Sequence, residues 1–255
     1  MSYFSEKKET FSSSRARLSI LDFGSGTGEF TVLMNLLGHN ATGVELHSTH
    51  LRLARTLARE NELPDSIFVH NAEKRLPFPD NTFDLVTSFS VVEHLDAATL
   101  AWVLPEFHRV CRGEVFTLVP NPLKPIDDHT GNKFLGFMPR RVALIYLKLV
   151  GEKYEYSKIT QSGDWDVYYR FLPKLKKCFE RGNFSFGCLP DSLHYPPLTA
   201  CKPIDGISKS FKLFGYRFSL KIPFPVTLML AAGVEKQFFY PYLNLVCKPK
   251  KSSTL

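Results

Sequence analysis

The first 120 residues alternate short apolar runs with amphipathic stretches, and no other feature narrows the possible folds as much. "RLSILDF", "ATGVEL", "SIFVH", "NTFDLVTSF" and "GEVFTLV" read as strands. Between them, "GEFTVLMNLLG" (closed by Gly38), "STHLRLARTLAREN" and "DAATLAWVLPEFHRV" read as helices. The second of these helices places apolar or small residues at 51, 54, 57 and 58, with Ser48 as its opening cap. Strand and helix in strict rotation imply right-handed crossovers and a parallel sheet with helices on both faces. The expectation is a doubly wound α/β core over residues 18–122.

Beyond residue 122 the pattern loosens. "VYYRFLPKLKKCFERGNFSFGCL" predicts a helix interrupted or started near Pro173, a break at Gly182 and a strand within 165–189. "YLNLVCK", within 239–255, predicts a last strand that would complete a mostly parallel, seven-stranded sheet. Two long insertions remain outside it: 123–164, with the amphipathic "RRVALIYLKLVG", and the proline- and aromatic-rich 190–238. Connections this long usually cover a site. Residues 1–17 and the C-terminal tail are polar enough to be flexible.

"ILDFGSGTGEF" (20–30) leaves the first strand through Asp22, Gly24, Gly26 and Gly28. Open parallel sheets bind ligands at the carboxyl ends of their strands, where glycines permit a tight turn and a close approach to backbone. A dinucleotide loop is spaced GxGxxG; this one is GxGxG with an acid before it, a poor neighbour for pyrophosphate and a good one for a cation. Glu45 ends the second strand, where a carboxylate can accept from both ribose hydroxyls. Together these point to S-adenosylmethionine, a nucleoside bearing an ammonium and a sulfonium.

With these residues in place, the stretch from about 18 to 122 resembles the class I S-adenosylmethionine-dependent methyltransferases, particularly their small-molecule branch, whose core is Rossmann-like. "LDFGSGTGEF", "GVELHSTHLRLAR", "NAEKRLPFPDNTFDLVTSFSVVEHL" and "HRVCRGEVFTLVPNP" carry the resemblance in order. It implies that Asp22, Gly24, Ser25, Gly26 and Gly28 line the methionine end, and that Glu45, followed by Leu46, holds the ribose. Asn71, Ala72 and Glu73 would face the adenine, and Ser88 and Phe89 would floor the pocket. Asn71 stands where an aspartate is usual, and "CRGE" is shorter than the usual lysine-proline-glycine-glycine turn. The product would be S-adenosylhomocysteine, with no metal required.

Methyl transfer from a sulfonium needs alignment and exclusion of water, and a hydroxyl acceptor also needs a base. His129 in "DDHTGN", oriented by Asp128, is the candidate base, against a plain Asp/Asn/Gly turn. His94 in "VVEHL" follows the fourth strand and, with Glu93, is read as pocket-shaping before acid–base. Trp165, Tyr168 and Tyr169 offer rings to an acceptor or, at helical spacing, to a core. "FKLFGYRFSLKIPFP" (211–225) is either a lipid-headgroup grip or a packed hairpin.

The chain carries a net charge of +7, unevenly spread: residues 1–122 hold 11 Lys/Arg against 15 Asp/Glu, the remainder 21 against 10. Aromatics divide 12 to 22 in the same direction. A basic, aromatic second half suits an anionic or apolar acceptor, a membrane surface, or simply a solvated lysine face. The five cysteines are never closer than ten residues apart, which argues against a zinc knot or disulfide framework. The start lacks an apolar signal core, so the cytoplasm is expected, and "FPVTLMLAAGV" (224–234) is too short to span a bilayer but long enough to lie on one. "SFSVVEHL" lacks the Asn/Asp-Pro-Pro-aromatic stretch of DNA-base methyltransferases, so nucleic acid is not expected. The reading is methyl transfer to an oxygen, less favourably carbon or nitrogen, of a small, apolar or anionic, lipid-like acceptor. The alternatives are a non-catalytic binding module, and an RNA or protein methyltransferase using the basic half.

Overall fold

The computed structural model describes residues 17–124, 126–151, 165–188, 208–213, 216–221 and 242–250. The strands of its main sheet are β1 (Ser19–Phe23), β2 (Asn40–Glu45), β3 (Phe68–His70), β4 (Phe83–Phe89), β5 (Cys111–Pro120), β6 (Phe184–Cys188) and β9 (Tyr242–Pro249). The helices are α1 (Glu29–Leu36), α2 (Ser48–Glu60), α3 (Ala97–Val110), α4 (Arg140–Leu149) and α5 (Leu172–Arg181). Sheet order is β3-β2-β1-β4-β5-β9-β6. The first five strands are mutually parallel, while β9 lies antiparallel to both β5 and β6. The expected seven-stranded α/β sheet is therefore present, with its last strand in sequence inserted one place in from the edge.

The strands read as continuous apolar runs because both faces are covered. Neighbouring Ile20 and Leu21 of β1 point to opposite sides and are both fully buried. Leu21 joins Val86, Val103, Phe107, Val115, Phe179 and Leu245 in the core under α3 and α5. Ile20 joins Leu18, Met34, Leu85 and Phe116 under α1. Fully burying a side chain of this kind stabilises by roughly 1.5–3 kcal/mol, so these two layers hold the sheet.

Three local expectations change. The cap of α2 is His47, whose backbone is extended, and Ser48 is the first helical residue with no capping bond from its side chain. Strand and helix do not rotate strictly, because no helix separates β3 from β4. Arg109 of α3 holds that irregular link instead, donating to the carbonyls of Leu76 (3.0 Å) and Phe78 (2.7 Å) and to Asp80 (2.9 Å). Residues 165–171 form no helix, and α5 starts at Leu172 with Pro173 in its first turn, where a missing N–H costs nothing.

Of the two insertions, the described part of the first contains a short turn at Leu135–Phe137 and α4. The described part of the second is an antiparallel pair of strands, β7 (Ser208–Leu213) and β8 (Tyr216–Lys221). Residues 1–16, the run 224–234 and the rest of 190–238 lie outside the described residues. No helix among those described is long and apolar enough to cross a membrane.

Candidate active site

β1 lies between β2 and β4, so the chain direction of the crossovers reverses beside the tip of β1 and opens a crevice there. The loop after β1 is drawn tight by Gly24 and Ser25, whose N–H groups donate to the Val44 carbonyl at 2.9 and 3.1 Å. Gly24 has φ +75°, and a Cβ there would come within 2.4 Å of a Val91 methyl. Gly28, at φ +92°, would push a Cβ to 2.6 Å from the Phe68 ring and 2.9 Å from Ala54. These two glycines are demanded by packing as much as by conformation.

Glu45 closes the far side of the crevice. Its Oε2 accepts from the Gly26 N–H at 2.8 Å, and its Oε1 from the N–H groups of Leu46 and His47, both at 2.8 Å. A carboxylate has about four lone-pair sites, so this one ties two strand tips together and keeps capacity for a ligand. Asp22 is differently placed from the expected loop mouth. It is 2% exposed, and its oxygens accept from Thr31 Oγ1 (2.8 Å) and Thr87 Oγ1 (3.2 Å). Burial pushes its carboxyl up to about 6, partly offset by those two hydroxyls.

Asn71 is committed locally: its Oδ1 accepts from the Glu73 N–H at 3.4 Å and its amide donates to the Glu73 carbonyl at 3.2 Å, while Ala72 and Glu73 are exposed. Ser88 and Phe89 part company. Ser88 is fully buried, and its hydroxyl has no partner among the described residues. Phe89 stacks edge-on against Phe30 and Phe116 at 4.8 and 5.5 Å, on the α1 side of the sheet.

A second constellation stands beyond the tips of β4 and β5. Val91, which packs on Gly24, leads into a helical turn, Val92–His94. Arg170 braces that turn by donating to the carbonyls of Val92 and Leu95, and the Tyr168 N–H donates to the Glu93 carbonyl at 2.6 Å. The ring of His129 meets His94 edge-on at 4.9 Å between centroids. His94 Nδ1 lies 3.3 Å from Asp166 Oδ1. Burial pushes the Glu93 carboxyl up to about 7. Burial alone would lower His94, but Asp166 and Glu93 overcome it and hold the ring above its ordinary value. His129 is held low by burial and by its histidine neighbour, against the pull of Asp127 and Asp128.

Asp128, expected to orient His129, accepts instead from Lys124 and from the Tyr242 hydroxyl at 2.8 Å. Asp127 accepts from Thr130 and from the Tyr169 hydroxyl. Trp165 is 3% exposed and packs with Leu135, Ala143, Leu147 and Val167. Tyr168 lies under the Arg140 guanidinium at 4.2 Å. All three aromatic residues also line a groove of about 710 Å³ between α3, α5 and the 136–140 segment.

A family described as "Methyltransferase domain" matches residues 21–118. A demethylmenaquinone methyltransferase from Listeria welshimeri is 32% identical over 193 residues, covering 71% of this chain and 76% of that one. The chain belongs to the class I S-adenosylmethionine-dependent methyltransferases. A namesake from Listeria monocytogenes matches more narrowly, at 32% over 87 residues and 36% of its own length. In fold, a methyltransferase structure from Methanosarcina mazei superposes with a TM-score of 0.54 at 13% identity, over 93% of this chain and 95% of that one.

The crevice of this methyltransferase suits its family's cofactor on its own geometry. A Cβ at Gly26 would meet nothing within 4 Å, so the loop backbone is open to a ligand, and Ser25, like Ser88, buries a hydroxyl with no partner among the described residues. Sequence reasoning missed Thr31, Thr87, Asp127 and Asp166. The threonines sit inside a helix and a strand where nothing local marks them, and the aspartates lie in aperiodic segments.

Proposed function

We propose that this methyltransferase methylates an oxygen of a small, apolar or anionic, lipid-like acceptor that enters from the side of Glu93, His94 and His129. When bound, S-adenosylmethionine supplies a methyl group on a sulfonium, already primed for displacement. In this reading Glu45 takes the ribose hydroxyls, Asn71, Ala72 and Glu73 border the adenine, and Ser25 and Ser88 offer hydroxyls at the methionine end. Asp22 acts through position: its bonds to Thr31 of α1 and Thr87 of β4 tie the start of that helix and the neighbouring strand to the end of β1, and its charge favours the cofactor's ammonium. The acceptor's proton is removed within the Glu93–His94–His129 cluster, with His129 the member that contacts the acceptor.

The single observation that carries the oxygen assignment is that cluster: two imidazoles and a buried carboxylate at the tips of β4 and β5, a short step from the glycine loop through Val91. A lipid-like acceptor is supported by two further features. The 710 Å³ groove sets Leu100, Leu104 and Trp165 beside the cations Arg140, Lys174 and Arg181. Helix α4 leaves Val142, Ile145 and Leu149 exposed at 50, 60 and 80%, next to exposed Arg141 and Lys148, as a membrane-lying face would. Relatives named for demethylmenaquinone, a lipid quinone, agree with that acceptor class.

The test is incubation with methyl-labelled cofactor and a total lipid extract, followed by mass spectrometry of whatever gains label. Label on an O-methyl of a lipid-soluble product is expected. Label confined to RNA or protein would overturn the acceptor class. His129→Ala should abolish most turnover while leaving cofactor affinity unchanged, and undiminished turnover removes His129 from the reaction.

A further inference from the structure

We infer that Glu93, His94 and His129 form the binding site of one divalent transition-metal ion of the zinc class. One potential ligand atom from each of the three residues lies within 4.8 Å of the other two. Zinc takes imidazole nitrogen and carboxylate oxygen at about 2.0–2.2 Å, so bound ligand atoms sit roughly 3.5 Å apart, and binding would draw these three together. Two imidazoles and one carboxylate are a borderline N/O set that favours zinc and its neighbours over calcium or magnesium.

Two observations make this more than proximity. Glu93 is 1% exposed; the Ser90 hydroxyl, its own N–H and the His94 ring lie near its carboxylate, but among the described residues neither carboxylate oxygen meets a donor at ordinary hydrogen-bonding geometry. Buried carboxylates are paired or coordinate metals, because desolvation without a partner is costly. His94 has a carboxylate behind it, Asp166, at 3.3 Å from Nδ1. Ligating histidines almost always carry such an outer partner, which fixes the ring. The turn bearing Glu93 and His94 is itself pinned by Tyr168 and Arg170, so the two ligands are pre-positioned.

The existence of the site stands on this geometry alone; its role in catalysis rests on the oxygen-transfer reading. Held by Glu93, His94 and His129, the cation would act as a Lewis acid on an acceptor hydroxyl, whose proton would pass to solvent. Its oxygen then forms a bond to the methyl carbon as the carbon–sulfur bond breaks, and sulfur keeps the electron pair. With the cation bound, His129 would serve as its ligand and the cation would ionise the acceptor, in place of the direct contact that His129 makes in the metal-free cluster.

The experiment uses the full chain, stripped with a chelator and titrated with Co2+ alone while the visible ligand-field bands are recorded, then with Zn2+ in competition. One equivalent of Co2+ with intense low-symmetry bands, displaced by one equivalent of Zn2+, is expected. Glu93→Gln and His129→Ala should each weaken binding at least tenfold, and Asp166→Asn should weaken it by about tenfold. Calorimetry with S-adenosylhomocysteine on the same variants checks that they are folded. No stoichiometric Co2+ spectrum, or one unchanged in Glu93→Gln and His129→Ala, overturns the metal site. Stripped enzyme that still methylates lipid at full rate removes its catalytic role and leaves the methyl-transfer reading standing.

Discussion

Gly28 occupies a left-handed backbone position with two neighbours inside 3 Å of where a Cβ would stand. Gly28→Ala should therefore cost about 1–3 kcal/mol in urea unfolding, because strain and overlap add. Glu45→Gln keeps the shape and removes the charge along with half of the acceptor capacity that Gly26, Leu46 and His47 now use. Calorimetry should show S-adenosylhomocysteine binding weakened by about tenfold, the loss of roughly one charged hydrogen bond.

Asp22 makes a pH prediction. Its carboxyl is raised from 3.8 to about 6 in the folded chain, so the neutral form is the one the fold favours. Its contribution to stability is complete below pH 4 and is lost as pH rises through about 6. The shift corresponds to about 3 kcal/mol. Cofactor-free Asp22→Asn should gain on the parent steadily from pH 4 to pH 6.5 in urea melts, and a constant difference across that range contradicts the assignment.

At the level of elements, α3 starts where Asp96 accepts from the Thr99 N–H at 2.7 Å. Asp96→Ala should cost about 1 kcal/mol without touching cofactor affinity. Helix α4 is amphipathic in an unusual sense: Ala143 and Leu147 are buried against Trp165, while Val142, Ile145 and Leu149 face out. The membrane-lying role proposed for this face makes a direct prediction. Ile145→Asp with Leu149→Asp should release the protein from anionic phosphatidylglycerol vesicles in co-sedimentation, and should leave its melting unchanged because both side chains are exposed.

For the molecule as a whole, β9 matters most. It pairs with β5 through Val115–Pro120 and with β6 through Phe184–Cys188, and it buries Leu243, Leu245 and Cys247 between them. Lys248 adds an ion pair to buried Glu114 at 3.0 Å. A chain ending before Tyr242 would expose two unpaired strand edges at once, and it should lose its cooperative unfolding transition.

The sequence alone determined the features whose causes are local. Apolar runs such as Ile20–Leu21 and Val115–Phe116 announce strands covered on both faces. The spacing of Gly24, Gly26 and Gly28 announces a turn, and Glu45 announces itself by ending the next run. Helix ends were less legible: the α2 cap fell to His47 because an extended backbone, rather than a hydroxyl, begins that helix. Only the tertiary structure decided where the last strand goes, that Asp22 lies beneath two threonines, and that His94 meets Asp166 from 72 residues away. Glu93, His94 and His129 converge for the same reason. Loops carry no periodicity, so which of their side chains meet is settled by the sheet that spaces the strand tips, not by any pattern along the chain.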